Sequence, residues 1–86
     1  MPSLSIFFGI VIRMFYNDHP PPHFHAEHQG QKATFTFDGE LLAGEIQSRV
    51  AKRLIKEWAK AHEKELALNW SLMRKGKPFD SIEPLS

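Results

Sequence analysis

Apolar residues fall into three different rhythms along this chain. From Phe7 to Tyr16 they are nearly continuous and rich in β-branched and aromatic types. That pattern predicts a strand covered on both faces, with Arg13 its charged exception. Asn17-Asp18-His19 and three prolines, Pro20 to Pro22, end it. Prolines cannot donate ladder hydrogen bonds and hold φ near −65°, so this stretch is a stiff, extended connector. From His23 to Gln29 and again from Lys32 to Phe37 apolar and polar residues alternate, separated by a turn at Gln29-Gly30-Gln31. These are half-buried strands, with Phe24 and Ala26 facing the core in one and Phe35 and Phe37 in the other. Asp38-Gly39 is a hairpin signal, followed by a short fourth strand over Glu40 to Ile46.

From Ser48 the period lengthens. Val50, Leu54, Trp58, His62, Leu66, Trp70 and Met73 recur every three or four residues, which predicts an amphipathic helix of about 25 residues. Ser48 suits its N-cap, Gly76 its C-cap, and Pro78 prevents its resumption. No proline or glycine interrupts the helix, and a break near Ala61 to Glu63 is the alternative to one continuous rod. Phe79, Ile82 and Leu85 are apolar anchors that would lay the tail back on the rest. The fold class predicted is α+β: a three- to four-stranded, mostly antiparallel sheet followed by one long, straight or bent helix on one face. Residues 1–86 read as a single domain, with 1–46 β-rich, 47–76 helical and 77–86 extended.

Composition narrows the classes of function. The 86 residues hold 42% apolar and 24% charged residues and no cysteine. Disulfides, thiolate zinc sites and thiol catalysis are excluded, and an unstapled small domain fits a reducing cytoplasm. Met1-Pro2-Ser3 lacks a basic n-region, and Ile6 to Ile12 is too short to span a bilayer, so neither export nor a membrane is expected. The net charge of +1 conceals an asymmetry. Residues 1–46 carry two cations against five acids, and residues 47–86 carry nine against five. Arg49, Arg53, Lys56, Lys60 and Lys64 form one stripe on a helical wheel, either a polyanion-binding face or a solvated one.

Chemistry concentrates between residues 19 and 28, which hold four of the five histidines. On a strand His23, His25 and Glu27 share a face, roughly 6.5–7 Å apart along it. Two imidazoles and a carboxylate suit Zn²⁺ or another divalent metal, with Asp18 or His19 able to complete the shell. The same histidines could instead act as acid and base in phosphodiester cleavage, with His19, His23 and His25 as candidates and Arg13 as the cation for the transition state. An ion pair with Asp18 or Glu27 is Arg13's plain alternative, and backbone hydrogen bonds or aromatic stacking are those of the histidines. His62 lies within the apolar stripe, either bonded to a carbonyl or delivered to the N-terminal histidines. Trp58 and Trp70 read as core.

The blocks Phe8-Gly9-Ile10-Val11-Ile12-Arg13-Met14, Asp18-His19 and Pro21-Pro22-His23-Phe24-His25-Ala26 resemble the small prokaryotic family called domain of unknown function 4160. So do Glu57-Trp58-Ala59, His62, Glu65-Leu66, Asn69-Trp70 and Ile82-Glu83-Pro84-Leu85. Pro20 extends the usual connector, and residues 37–47 match least well. The resemblance puts His19, His23, His25, His62, Arg13, Asp18 and Trp70 on the family's motif positions. It also implies a gene neighbour, domain of unknown function 2442, and hence a toxin–antitoxin module or a two-protein complex. Three functions follow. The first is a partner-binding, toxin-like protein acting on RNA or translation. The others are a histidine-dependent metal-binding or phosphodiester-cleaving enzyme, and an adaptor whose histidines brace the fold. An uncovered sheet edge would favour a homodimer or a partner strand.

Overall fold

A computed structural model describes residues 3–85; Met1-Pro2, read above for an export signal, and Ser86 lie outside it. The first half of the chain is a meander of five antiparallel strands in sequence order: β1 (Ser5–Phe7), β2 (Ile10–Arg13), β3 (Phe24–His28), β4 (Gln31–Phe35) and β5 (Leu41–Gly44). Two helices follow, α1 (Arg49–Ala61) and α2 (Glu63–Arg74).

Five strands replace the three or four expected, because the apolar run from Phe7 to Tyr16 is not one strand. Phe8-Gly9 turns it back on itself, with φ of 49° and 76°, pairing Phe7 with Ile10 and Ser5 with Ile12. Two successive positive φ values are the signature of a type I′ hairpin, whose twist matches that of its strands. Gln29-Gly30, with φ of 50° and 79°, makes the same kind of turn between β3 and β4. Glycine in an apolar run was the available signal, and a bulky Phe8 beside it concealed the turn.

The single long helix is also corrected, to two. Ser48 caps α1, its Oγ accepting from the Ala51 amide at 3.0 Å. His62 then leaves helical geometry, with φ of −126° and ψ of 26°, and α2 begins with Glu63 and Glu65 in its first turn. Acidic side chains there complement the free amides of a new helix start. Gly76, at φ +71°, stops α2: its amide donates to Met73 and that of Lys77 to Leu72, satisfying the last carbonyls. Val50, assigned to the apolar stripe, is 58% exposed. The buried phase of α1 is instead set by Ala51, Ile55, Trp58 and Ala59.

Alternation along the strands sends Ile10, Ile12, Phe24, Ala26, Ala33 and Phe35 to one core with the helices. Trp58 is its centre, 5.6 Å from the Phe7 ring and 5.5 Å from the Phe24 ring. The segment after α2 is tied to this core by polar bonds. Asn69, buried in α2, uses both amide atoms on the Asp80 backbone, at 2.7 and 3.2 Å. The Trp58 indole donates to the Glu83 carbonyl at 2.9 Å, and the Ile82 amide to Leu4 at 2.8 Å. No helix among the described residues is long and apolar enough to cross a membrane.

Candidate functional site

Three side chains converge where the proline connector meets β3. Asp18 is fixed by its own turn: its amide donates to the Phe15 carbonyl at 3.1 Å, and its Oδ2 accepts from the Phe15 amide at 3.0 Å. Oδ1 is left to face the histidines. It lies 3.0 Å from His25 Nε2 and 3.6 Å from His23 Nε2. Asp18, His23 and His25 each offer one ligand atom within 4.8 Å of the other two.

The protonation of His23 follows from its other nitrogen. Nδ1 is 2.7 Å from the Pro21 carbonyl oxygen, which can only accept, so Nδ1 carries a proton. That bond places the remaining nitrogen, Nε2, toward the Asp18 carboxylate. The Pro21 bond thus leaves His23 Nε2 and Asp18 Oδ1 directed at one another, 3.6 Å apart. A ring nitrogen bonded to a backbone carbonyl, with the opposite nitrogen directed at a site, is also how metal-ligating histidines are commonly oriented.

Aromatic rings wall the cluster. Phe15 meets His25 edge-on at 4.7 Å, and Trp70 of α2 lies 5.5 Å from His23. Asp18 and His23 side chains are only 10% and 13% exposed, whereas His25 is 30% exposed. His25 also lines a groove of about 560 Å³ on the sheet face turned away from the helices, together with Arg13, Glu27 and Lys32. The cluster is thus mostly enclosed and meets the groove through one ring.

The other candidates are placed as follows. Glu27 shares the outward face with His25, but its carboxylate binds Arg13 Nε at 3.2 Å and lies 3.9 Å from Lys32. The carboxylate beside the imidazoles is therefore that of Asp18, brought back by the fold of the connector. Arg13 takes the ion pair with Glu27 that was its plain alternative. His19 is exposed, and among the described residues no side chain bonds its ring. His62 does neither of the things foreseen for it. Its Nδ1 lies 2.6 Å from the Glu65 carboxylate, and its ring 5.6 Å from that of Trp58. The basic stripe is divided, with Arg49, Arg53, Lys56 and Lys60 on α1, Lys64 beyond the break, and Lys56 3.9 Å from Glu40. Sequence reasoning placed Trp70 in the core; it is half-buried and walls His23. The pairing of Asn69 with Asp80 was missed, although a polar residue beside an apolar helical stripe was its signal.

These features define a class: a small α+β protein with an antiparallel five-stranded meander, two covering helices and a histidine–aspartate cluster at one end of the sheet. The chain belongs to the family described as Domain of unknown function (DUF4160), whose model matches residues 9–71. The matched span includes Asp18, His23, His25 and Arg13. No curated protein and no solved structure matches the chain.

Proposed function

We propose that Asp18, His23 and His25 bind one divalent transition-metal ion through Oδ1 and the two Nε2 atoms. One observation carries this reading: the spacing of the ligand atoms around Asp18. With metal–ligand bonds of about 2.0–2.1 Å, tetrahedral geometry separates neighbouring ligand atoms by about 3.3–3.4 Å. The separations here, 3.0 and 3.6 Å, straddle that value. A hydrogen bond accounts for the shorter contact alone; the longer, at 3.6 Å, is beyond hydrogen-bond range and within ion-pair range. Two nitrogens and one oxygen are a borderline donor set, suited to Zn²⁺ and to first-row ions such as Fe²⁺ or Co²⁺. Three protein ligands leave further positions for water or a bound molecule.

The toxin-like, RNA-directed role implied by gene pairing rests on that pairing alone; the basic residues that could meet a polyanion lie on two helices, with Lys56 3.9 Å from Glu40. The metal reading is tested on protein stripped with chelator and titrated with Zn²⁺. One ion per chain is expected to bind. Free Zn²⁺ at a hundred times its dissociation constant should add about 2.7 kcal/mol to stability. The double variant His23→Ala/His25→Ala should lose both effects. Uptake unchanged in that variant, or no gain in wild-type stability, overturns the proposal.

A further inference from the structure

The groove beside the cluster has a charge pattern that the metal reading does not use. Arg13 is the cross-strand partner of His25, and Lys32 is that of Glu27. Directly opposed side chains on an antiparallel pair start about 4.5–5.5 Å apart, so Arg13 and His25, the residue that joins cluster to groove, leave the sheet side by side on its outer face. Glu27 stands between the two cations. It holds Arg13 by Nε, at 3.2 Å, and no acceptor among the described residues takes the two terminal nitrogens of that guanidinium. Arginine presents a planar fork with two bonding edges, and the end-on edge of this one is free for a planar or tetrahedral oxyanion.

We infer that this groove binds a phosphomonoester whose phosphoryl oxygen coordinates the metal held by Asp18, His23 and His25, with Arg13 and Lys32 as its charge partners. The inference rests on the metal reading above. Charge decides the class of ligand. With a divalent ion in place, Arg13 and Lys32 against Asp18 and Glu27 leave a balance of +2. A phosphomonoester dianion cancels it, whereas a carboxylate or a phosphodiester leaves a positive charge uncompensated in a half-enclosed site. Size agrees: about 560 Å³ lies within the usual range for small-molecule sites, and Val11, Phe15 and Ala43 supply apolar wall for an organic body.

The experiment uses Co²⁺-loaded full-length protein, whose visible absorption bands report any new ligand on the metal. The probe is phenyl phosphate, and benzoate is the monoanion with the same ring. Phenyl phosphate should shift the bands saturably and bind at least about tenfold more tightly than benzoate. Arg13→Gln should weaken it by about tenfold or more, the loss of a charge-assisted bond, with the ligand-free cobalt spectrum unchanged. Lys32→Gln, at a more exposed position, should weaken it about two- to threefold. Arg13→Lys, which keeps the charge and loses the fork, should fall between Arg13→Gln and wild type; should Arg13→Gln not fold, it and Lys32→Gln decide the matter. Cobalt bound with bands that phenyl phosphate does not move, or equal affinity in wild type and the Arg13 variants, overturns this inference alone. Failure of the wild type to take up cobalt overturns the metal reading, and this inference with it.

Discussion

The two faces of the sheet are written into the same strands one residue out of phase, and they are opposite in kind. On the inner face Ile10, Ile12, Phe24, Ala26, Ala33 and Phe35 are all 4% exposed or less, closed over by Trp58, Ile55, Leu66 and Met73. On the outer face Val11, Arg13, His25, Glu27, Lys32 and Thr34 are all at least partly open to solvent. These six inner positions are apolar, with Ser5, His28 and Gln31 on the same face at its ends, and the outer row carries the ion pairs and an imidazole of the cluster. Stability and chemistry are thus separated by single-residue steps, and a one-residue slip of register would exchange them.

The largest test of that division is Trp58→Ala. It removes the centre of the inner layer and the bond to Glu83, and should cost about 3–5 kcal/mol in urea unfolding. A loss below about 1 kcal/mol would mean that the inner face is not one core. Two neighbours on β2 make the sharpest contrast. Ile12→Ala should cost about 2–5 kcal/mol, and Val11→Ala less than about 1 kcal/mol, measured by the same unfolding midpoint. Equal losses would erase the distinction between the faces.

Gly44 qualifies the comparison, because it lines the open groove yet should not tolerate change. Its φ is +79°, and an added Cβ would fall on the Lys32 carbonyl oxygen and lie 2.8 Å from Ala33 Cα. Gly44→Ala should therefore cost about 1–3 kcal/mol by thermal unfolding, through backbone strain on a face where side chains are otherwise replaceable. The smallest effect belongs to the turn between β4 and β5. The Thr36 hydroxyl donates to Asp38 and holds its carboxyl below the usual aspartate value of 3.8. A depressed folded value means that the contribution is full above the ordinary aspartate range and is lost as pH falls through the lowered one. Asp38→Asn should cost a little stability at neutral pH, and the difference should vanish in acid. A difference that persists unchanged in acid would sink that account.

Much of this division is legible in the sequence alone. Alternation in β3 and β4 placed Phe24 and Ala26 inward and His25 and Glu27 outward, because period two follows from strand geometry alone. The hairpin at Phe8-Gly9 was hidden, since Ile10 and Ile12 are core and Val11 is half-buried, so both sides of the turn read as one apolar run. The helix break was foreseen only as an alternative, because the apolar period runs through His62 without proline or glycine. At the site, the two imidazoles could be read from spacing but their carboxylate could not. Glu27 is the nearer partner along the strand. Asp18 becomes the nearer one in space only because its side chain and amide close a turn on Phe15 and the prolines carry the chain back. Such an approach is a property of the connector's path, which side-chain periodicity does not encode.

The bond between Leu4 and Ile82 joins positions almost at opposite ends of the described chain, and it sets an order in time. During synthesis β1 and Trp58 are made long before their partners. The buried indole N–H has no Glu83 carbonyl, and Leu4 no Ile82 amide, until residues 82 and 83 have emerged from the ribosome. The sheet and α1 can form as they emerge, but the core stays unsealed along that edge. Sealing of that edge therefore waits on the segment after α2, and a chain truncated before Ile82 would leave the Trp58 indole without its hydrogen-bond acceptor.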